Sequence, residues 1–116
     1  MYNLFVYGTL CKGKNNFRFL NDSKFLGYYH TDNNFSLVIT GLPFMIRRKG
    51  DGVSGQLYRV DDYTLKRIDK LEGHPDFYKR EEIYVYDTET GTNVRAYAYI
   101  HPDIFPKHIE TRRSYE

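Results

Sequence analysis

One glutamate stands where acid–base chemistry is expected, because it shares a helical face with apolar residues. Glu72 follows Leu65 by seven residues, and at about 100° per residue the two side chains project within about 20° of each other. Burial is costly for a carboxylate and raises its pKa, so such a group can accept and donate a proton near neutral pH. The pattern predicts that Glu72 is a general acid and base. The same periodicity also allows Glu72 to turn to solvent at a fraying helix end.

A second carboxylate lies three residues earlier on the same side of this helix. Like charges at that spacing disfavour ionisation of both groups, so Asp69 is expected to raise the pKa of Glu72 further. The alternative role of Asp69 is structural. It would then bond to a neighbouring loop or brace Glu72.

The second candidate site is the segment Tyr7, Gly8, Thr9 and Leu10, which stands where a first strand should end. The preceding residues are aromatic and β-branched, and Gly8 frees the backbone to turn because it lacks the Cβ that penalises positive φ. Such a turn can leave several N–H groups unpaired and converging, which suits an anion such as a carboxylate. The segment equally fits an ordinary strand followed by a glycine turn.

Other reactive side chains form no pattern typical of a site. Cys11 is the only cysteine, so an intramolecular disulfide is impossible and a reducing compartment is expected. It follows Leu10 and could border a pocket, but no base is placed to activate its thiol. The four histidines are scattered without ligand spacing. We therefore expect no metal and no cofactor.

Length and composition indicate one domain over residues 1–116. Aromatic residues make up 17% of the chain, including 12 tyrosines, which favours sheet and leaves hydroxyl groups available around a pocket. The net charge of +2 is too small to predict a nucleic-acid partner. The basic runs at 47–49 and 112–113 fit a solvated turn and a polar tail over 107–116, which we expect to be frayed.

No segment is predicted to cross or to target a membrane. No apolar run approaches the ~20 residues that span a bilayer. The N-terminus enters a strand at once, without the basic and apolar regions of a signal peptide. A soluble, cytoplasmic protein is therefore expected, and the sequence predicts no oligomeric state.

Strand patterns dominate and predict an α+β fold. Short apolar or alternating segments indicate six strands, at 4–7, 35–39, 44–46, 53–60, 82–86 and 95–100. One helix is predicted from Asp61 or Asp62 to Leu71, with an acidic N-cap and with Gly73 and Pro75 as stop signals. A short helical turn is expected at 15–20. These elements predict a small antiparallel or mixed β-barrel of about six strands, with the helix beside its mouth.

Five segments occur together in a fixed order. They are Val6-Tyr7-Gly8-Thr9-Leu10, Phe25-Leu26-Gly27, VSGQLYRV from Val53, LKRIDKLEGHP from Leu65, and Tyr78-Lys79-Arg80. This ordered set resembles the γ-glutamylcyclotransferase-like family, particularly short members related to γ-glutamylamine cyclotransferase. The resemblance covers about residues 2–100.

The resemblance implies a mixed β-barrel with helices at its sides and a cavity at one end. It also implies that the loop Tyr7 to Leu10 binds the α-amino acid end of a γ-glutamyl group and that Glu72 is the catalytic acid/base. The family reaction is intramolecular. The α-amine attacks the γ-carbonyl of the same molecule, closes 5-oxoproline and expels an amine or amino acid.

Two departures from the family pattern leave the leaving group open. His74 stands where many relatives carry tyrosine, and the segment 47–52 is more basic than the family leads one to expect. Tyr78 and Arg80 are expected to line or brace the site. Two other functions also fit. One is a binding module for small metabolites or a partner that has lost turnover, and the other is removal of γ-glutamyl groups from a larger molecule.

Overall fold

The computed structural model describes residues 1–115. The elements in this range are β1 (Tyr2–Val6), a 3₁₀ helix (Phe17–Leu20), β2 (Lys24–His30), β3 (Ser36–Thr40), β4 (Leu42–Ile46), β5 (Ser54–Val60), α1 (Asp62–Glu72), β6 (Lys79–Asp87) and β7 (Asn93–Ile100). No helix within residues 1–115 is long and apolar enough to cross a membrane.

Five strands close into a barrel in the order β1-β5-β2-β6-β7. All neighbours pair antiparallel except β1 and β7, which are parallel and meet at Leu4 and Tyr97. The barrel is therefore mixed, and the predicted α+β barrel is confirmed. The barrel has five strands and not six, because β3 and β4 pair only with each other in a two-stranded sheet, whereas β2, which was not predicted, joins the barrel.

The strand β2 belongs to the barrel although its sequence did not predict it. Its pairing with β5 shifts register between Phe25 and Gly27, and Gly27 has a φ of 134°. A bulge interrupts the alternation of side chains that marks a strand, and glycine is depleted in strands. None of its residues is fully buried, so the sequence of β2 lacks the regular apolar face that would have predicted a strand.

The helix α1 begins and ends as the sequence predicts, to within one residue. The side chain of Asp61 accepts a hydrogen bond from the Thr64 N–H at 2.7 Å, which caps the first turn. Gly73 ends the helix in the left-handed conformation, with a φ of 68°. Leu65 and Ile68 are buried, so the final residue, Glu72, stands where their face meets the barrel.

Strand β1 is buried on both faces and connects the two hydrophobic clusters of the core. Leu4 and Val6 pack into one cluster with α1, whereas Phe5 and Tyr7 pack into the other. Alternating side chains of one strand point to opposite faces, so β1 divides the core. The chain that follows β1, through Tyr7 to Gly8, therefore emerges beside both clusters.

The C-terminal tail is docked, so the expectation of a frayed end is wrong for the part that the structure describes. The N–H of Arg112 donates to the carbonyl of Leu37 at 2.8 Å, and the N–H of Ser54 donates to the carbonyl of Arg113 at 2.6 Å. Tyr115 packs against the second cluster, with the Lys14 ammonium 5.3 Å from its ring centre. Only the last residue of the tail lies outside the described residues.

Candidate active site

The ends of β1 and α1 open into one cavity of about 170 Å³. All five residues predicted for the site, Tyr7, Gly8, Thr9, Leu10 and Glu72, line this cavity. The remaining lining residues are Phe5, Val6, Asn16, Leu42, Pro43, Leu71, Phe77, Tyr78 and Tyr99. The fold thus brings the predicted carboxylate and the predicted anion-binding loop to the same space.

Glu72 is partly buried at the end of α1. Burial raises the pKa of its carboxyl group from the usual 4.5 to about 7. The carboxyl group is therefore divided between its charged and neutral forms at neutral pH. This is the property that a single group needs to accept and then return a proton.

Asp69 does not act on Glu72 in the expected way. Burial alone accounts for the raised pKa of Glu72, whereas Asp69 is bound elsewhere. Its carboxylate accepts bonds from Arg80 Nε at 2.7 Å and Nη2 at 3.1 Å, and from the Tyr99 hydroxyl at 2.6 Å. The guanidinium compensates the Asp69 charge, so the role of Asp69 is structural, but its partners are strand residues and not a loop or Glu72. Asp69 ties α1 to β6 and β7.

Replacement of Asp69 by asparagine is expected to lower the free energy of unfolding by about 2 kcal/mol. The change leaves the partly buried Arg80 without its counter-ion and weakens the bond to Tyr99. Urea unfolding measures the loss. The matched control is Asp62→Asn in the exposed pair with Lys66, and an equal loss there would contradict the account.

The loop after β1 presents backbone N–H groups that the fold does not use. Within residues 1–115, no hydrogen bond is donated by the N–H of Gly8, Thr9 or Leu10. Two carbonyls of the same loop are occupied, since Gly8 accepts from the Cys11 N–H at 3.0 Å and Thr9 from the Asn16 N–H at 2.8 Å. The loop therefore has donors available for an anion and few competing acceptors.

Gly8 is required for a different reason from the one expected. The chain turns here as expected, but the φ of Gly8 is not among the positive values of the chain, so the turn does not use the freedom at positive φ on which the expectation rested. A Cβ at this position would lie 2.6 Å from Cγ of Pro43. Glycine allows the hairpin β3–β4 to approach the loop closely, and this approach forms one wall of the cavity.

The tyrosines of the cavity do not offer free hydroxyl groups, contrary to the expectation from composition. Tyr7 donates to the carbonyl of Tyr99 at 2.6 Å and accepts from the Met45 N–H at 3.3 Å. Tyr78 donates to the carbonyl of Pro43 at 2.6 Å, and Tyr99 donates to Asp69. These hydroxyls hold the walls together, so the cavity meets its contents mainly with the aromatic rings.

Asn16 is a cavity residue that the sequence did not indicate. Its side-chain amide donates to Thr9 Oγ1 at 2.9 Å, and its backbone N–H donates to the Thr9 carbonyl. Two bonds from one residue fix the conformation of the loop. Asn16 follows Thr9 by seven residues in a segment of turns. No helical or strand periodicity relates the two positions there, so no local signal could have linked them.

Three other residues that the sequence singled out lie outside the cavity. His74 Nδ1 accepts from the Arg80 N–H at 2.9 Å. Arg48 donates to both carboxylate oxygens of Asp103 at 2.8 Å, so it is not part of a solvated turn. Burial raises the pKa of the Cys11 thiol to about 12, which keeps it protonated and unreactive. Residues 1–115 contain no group of three potential metal ligands.

A family model described as "Gamma-glutamyl cyclotransferase, AIG2-like" matches residues 4–116. The chain belongs to this family. A Methanocaldococcus jannaschii protein named for γ-glutamylcyclotransferase is 37% identical over 105 residues, which are 89% of this chain and 87% of that protein. The rat γ-glutamylamine cyclotransferase is 33% identical over 115 residues, covering 85% and 77% of the two chains.

The fold of this AIG2-like cyclotransferase is shared with a solved relative. The crystal structure of a mouse AIG2-like protein superposes with a TM-score of 0.89 at 29% identity, covering all of this chain and 88% of that one. The family and the names of its members support a cyclotransferase activity for this chain. The family predicted from the ordered motifs is thus confirmed.

Proposed function

We propose that this cyclotransferase converts a γ-glutamyl amine or γ-glutamyl amino acid to 5-oxoproline and releases the amine. The observation that carries the proposal is the position of Glu72. A carboxyl group with a pKa of about 7 lines the same cavity as a loop with unused N–H groups. A proton carrier and an anion site are the two parts that this reaction requires.

The reaction balances with Glu72 as the only proton carrier. The Glu72 carboxylate takes a proton from the substrate's α-ammonium, and the freed nitrogen attacks the γ-carbonyl carbon. The bond to the leaving nitrogen then breaks as the Glu72 carboxyl returns the proton to it. The ring nitrogen still carries one proton too many, which the regenerated Glu72 carboxylate takes and passes to the released amine. The products are then neutral 5-oxoproline lactam and an ammonium ion, and Glu72 is ionised again. Nucleophile and electrophile belong to one molecule, so the protein mainly holds the chain in its reactive conformation.

The loop from Tyr7 to Leu10 is proposed to hold the α-carboxylate of the substrate. The backbone N–H groups of Gly8, Thr9 and Leu10 are the donors, and Asn16 fixes their loop through Thr9. Binding at this point would place the α-nitrogen within the cavity that Glu72 lines. Backbone donors do not titrate, so carboxylate binding is expected to be insensitive to pH around neutrality.

The value of kcat/KM is expected to rise from acidic pH and to level off above a pH of about 7. Glu72 accepts a proton only when ionised, and its pKa is about 7. Initial rates of 5-oxoproline formation from pH 5 to 9 measure the profile. A kcat/KM that is already nearly constant from pH 5 upward, as for a solvated carboxyl group with a pKa of 4.5, would contradict this role for Glu72.

Incubation with a panel of γ-glutamyl compounds, followed by mass spectrometry of 5-oxoproline, tests the proposed function. The panel holds γ-glutamyl amines, γ-glutamyl amino acids and a protein-derived γ-glutamyl isopeptide. Formation of 5-oxoproline from the small compounds supports the proposal. Binding without product would favour a non-catalytic binding module, and product from the isopeptide alone would favour removal of γ-glutamyl groups from larger molecules.

A further inference from the structure

The chain after β1, residues 8–16, which we call the β1 loop, has an outer half with little packing of its own. Residues 12–15 are lysine, glycine, lysine and asparagine, and none of them is apolar. Gly13 has a φ of 84°, and no atom beyond its chain neighbours lies within 4 Å of the position of a Cβ on this residue. Segments with few buried apolar contacts open at a low cost in free energy. The outer half therefore depends on other parts of the chain to keep one conformation.

The C-terminal tail supplies one contact to this half of the β1 loop. The Lys14 ammonium lies 5.3 Å from the centre of the Tyr115 ring, which is within the range of a cation–π interaction. Lys14 is half-buried although it is charged. A second contact comes from β5, where Gln56 Oε1 accepts a hydrogen bond from the Lys12 N–H at 3.1 Å. The tail and β5 thus hold the loop at its two lysine positions.

Tyr115 is itself fixed, so it can serve as an anchor. Backbone hydrogen bonds join the tail to β3 and to the first residue of β5, and the Tyr115 ring packs against the second hydrophobic cluster. That cluster contains Phe5 and Tyr7, which line the cavity. The pKa of Tyr78, another lining residue, is raised by burial, by Glu72 and, least, by Tyr115. Tyr115 therefore lies close to the cavity wall.

A chain of hydrogen bonds connects Lys14 to the unused donors of the β1 loop. The Lys14 N–H donates to the Cys11 carbonyl at 3.0 Å, and the Cys11 N–H donates to the Gly8 carbonyl at 3.0 Å. The planar peptide group that holds the Gly8 carbonyl also holds the Thr9 N–H, one of the donors proposed for the α-carboxylate. A displacement of Lys14 therefore shifts this donor.

We propose that Tyr115 is a positioning residue, which holds the β1 loop and its carboxylate donors in place through Lys14. This inference rests on the proposed function and adds to it a part of the chain outside the cavity. The α-carboxylate is bound in the ground state and the transition state alike, so displaced donors raise KM more than they lower kcat. We expect Tyr115→Ala to raise KM about three- to tenfold, the effect of losing a partly buried cation–π contact, and to keep kcat within about twofold.

Further variants separate the Tyr115 ring from its charged partner. Tyr115→Phe keeps the ring and Lys14→Arg keeps the cation, so both should leave KM within about twofold of the wild-type value. Lys14→Met removes the charge and should raise KM as Tyr115→Ala does. The double variant Lys14→Met/Tyr115→Ala should be no worse than Tyr115→Ala, because both changes remove the same contact. Additive increases in KM would overturn the assignment.

Tyr84→Ala is the matched control for Tyr115→Ala. Tyr84 is exposed on β6, lies 5.6 Å from the Arg95 guanidinium and does not line the cavity, so its loss should leave KM unchanged. Circular dichroism measures folding in both variants. Loss of folded protein lowers the apparent kcat and leaves KM unchanged. A lower kcat with an unchanged KM in Tyr115→Ala would therefore show a merely structural role and overturn the proposal.

Amide hydrogen exchange tests the positioning independently of turnover. The N–H groups of Cys11, Lys14 and Asn16 are bonded within the β1 loop. Their exchange should be at least about fivefold faster in Tyr115→Ala than in the wild type or in Tyr84→Ala. Unchanged exchange would overturn the proposal even if KM rises. If no γ-glutamyl compound yields 5-oxoproline, the proposed function fails, and exchange alone then decides whether the tail holds the loop.

Discussion

Replacement of Glu72 by glutamine is expected to lower the rate of 5-oxoproline formation about 10²–10⁴-fold, the usual contribution of a positioned acid and base. Glutamine keeps the shape of the side chain but cannot carry the proton from the α-nitrogen to the leaving nitrogen. Substrate binding should persist, because the proposed contacts to the α-carboxylate come from Gly8, Thr9 and Leu10. Initial rates measure the first effect, and isothermal titration of the variant with substrate measures the second.

The same variant is expected to be more stable than the wild type at alkaline pH. The pKa of Glu72 is about 7 in the folded protein and 4.5 in an exposed chain, so the unfolded state ionises first. Stability therefore falls as pH rises through this window and stays lower above it. Glu72→Gln has no carboxyl group to ionise at this position and so lacks this loss. The difference in free energy of unfolding between the variant and the wild type should therefore be larger at pH 8 than at pH 4, by up to about 3 kcal/mol.

Urea unfolding and activity assays, each at two pH values, compare Glu72→Gln with a control variant. Glu89→Gln changes an exposed glutamate outside the cavity and should alter neither turnover nor the pH dependence of stability. Near-normal turnover of Glu72→Gln would refute the proposed acid and base.

Replacement of Gly8 by alanine is expected to lower kcat/KM about 10²-fold and to destabilise the fold. The added Cβ would lie 2.6 Å from Cγ of Pro43, so either the loop or the hairpin β3–β4 must move. Overpacking of this kind costs about 1–3 kcal/mol, and a shift of about 1 Å in a binding loop can cost about 10²-fold in rate. Urea unfolding and initial rates measure the two losses.

A second substitution separates steric displacement of the loop from a general loss of folding. Pro43→Ala removes the Cγ that the new Cβ would meet, while the Pro43 carbonyl that binds Tyr78 is a backbone group. The double variant Gly8→Ala/Pro43→Ala should recover most of the activity lost in Gly8→Ala. Additive losses in this double-mutant cycle would show that the contact is not the cause.

Local signals were enough to predict the residues that carry the proposed chemistry. The cap at Asp61, the stop at Gly73 and the face shared by Leu65 and Ile68 fix where α1 ends, and this places Glu72. A strand followed by glycine likewise placed the loop after β1. Both predictions depend on neighbours along the chain, for which propensity and periodicity are informative.

The walls of the cavity could not be predicted in the same way, because distant residues form them. Pro43 approaches Gly8 from a separate hairpin, and Arg80 compensates Asp69 from β6. A bulge at Gly27 concealed a barrel strand, and pairing of Arg112 with Leu37 fixed a tail that looked polar. Cytoplasmic location and the lack of a nucleic-acid partner stay predictions from composition.

Turnover in water enriched in ¹⁸O tests the central claim most directly. If the substrate's own α-nitrogen attacks the γ-carbonyl, the wild-type protein should release unlabelled 5-oxoproline and one equivalent of amine, and Glu72→Gln should release neither at a comparable rate. Hydrolysis would instead produce glutamate with one ¹⁸O atom in its γ-carboxylate. Labelled glutamate as the main product would contradict the cyclisation. Equal rates of 5-oxoproline formation by the wild type and Glu72→Gln would contradict the role of Glu72 as the proton carrier.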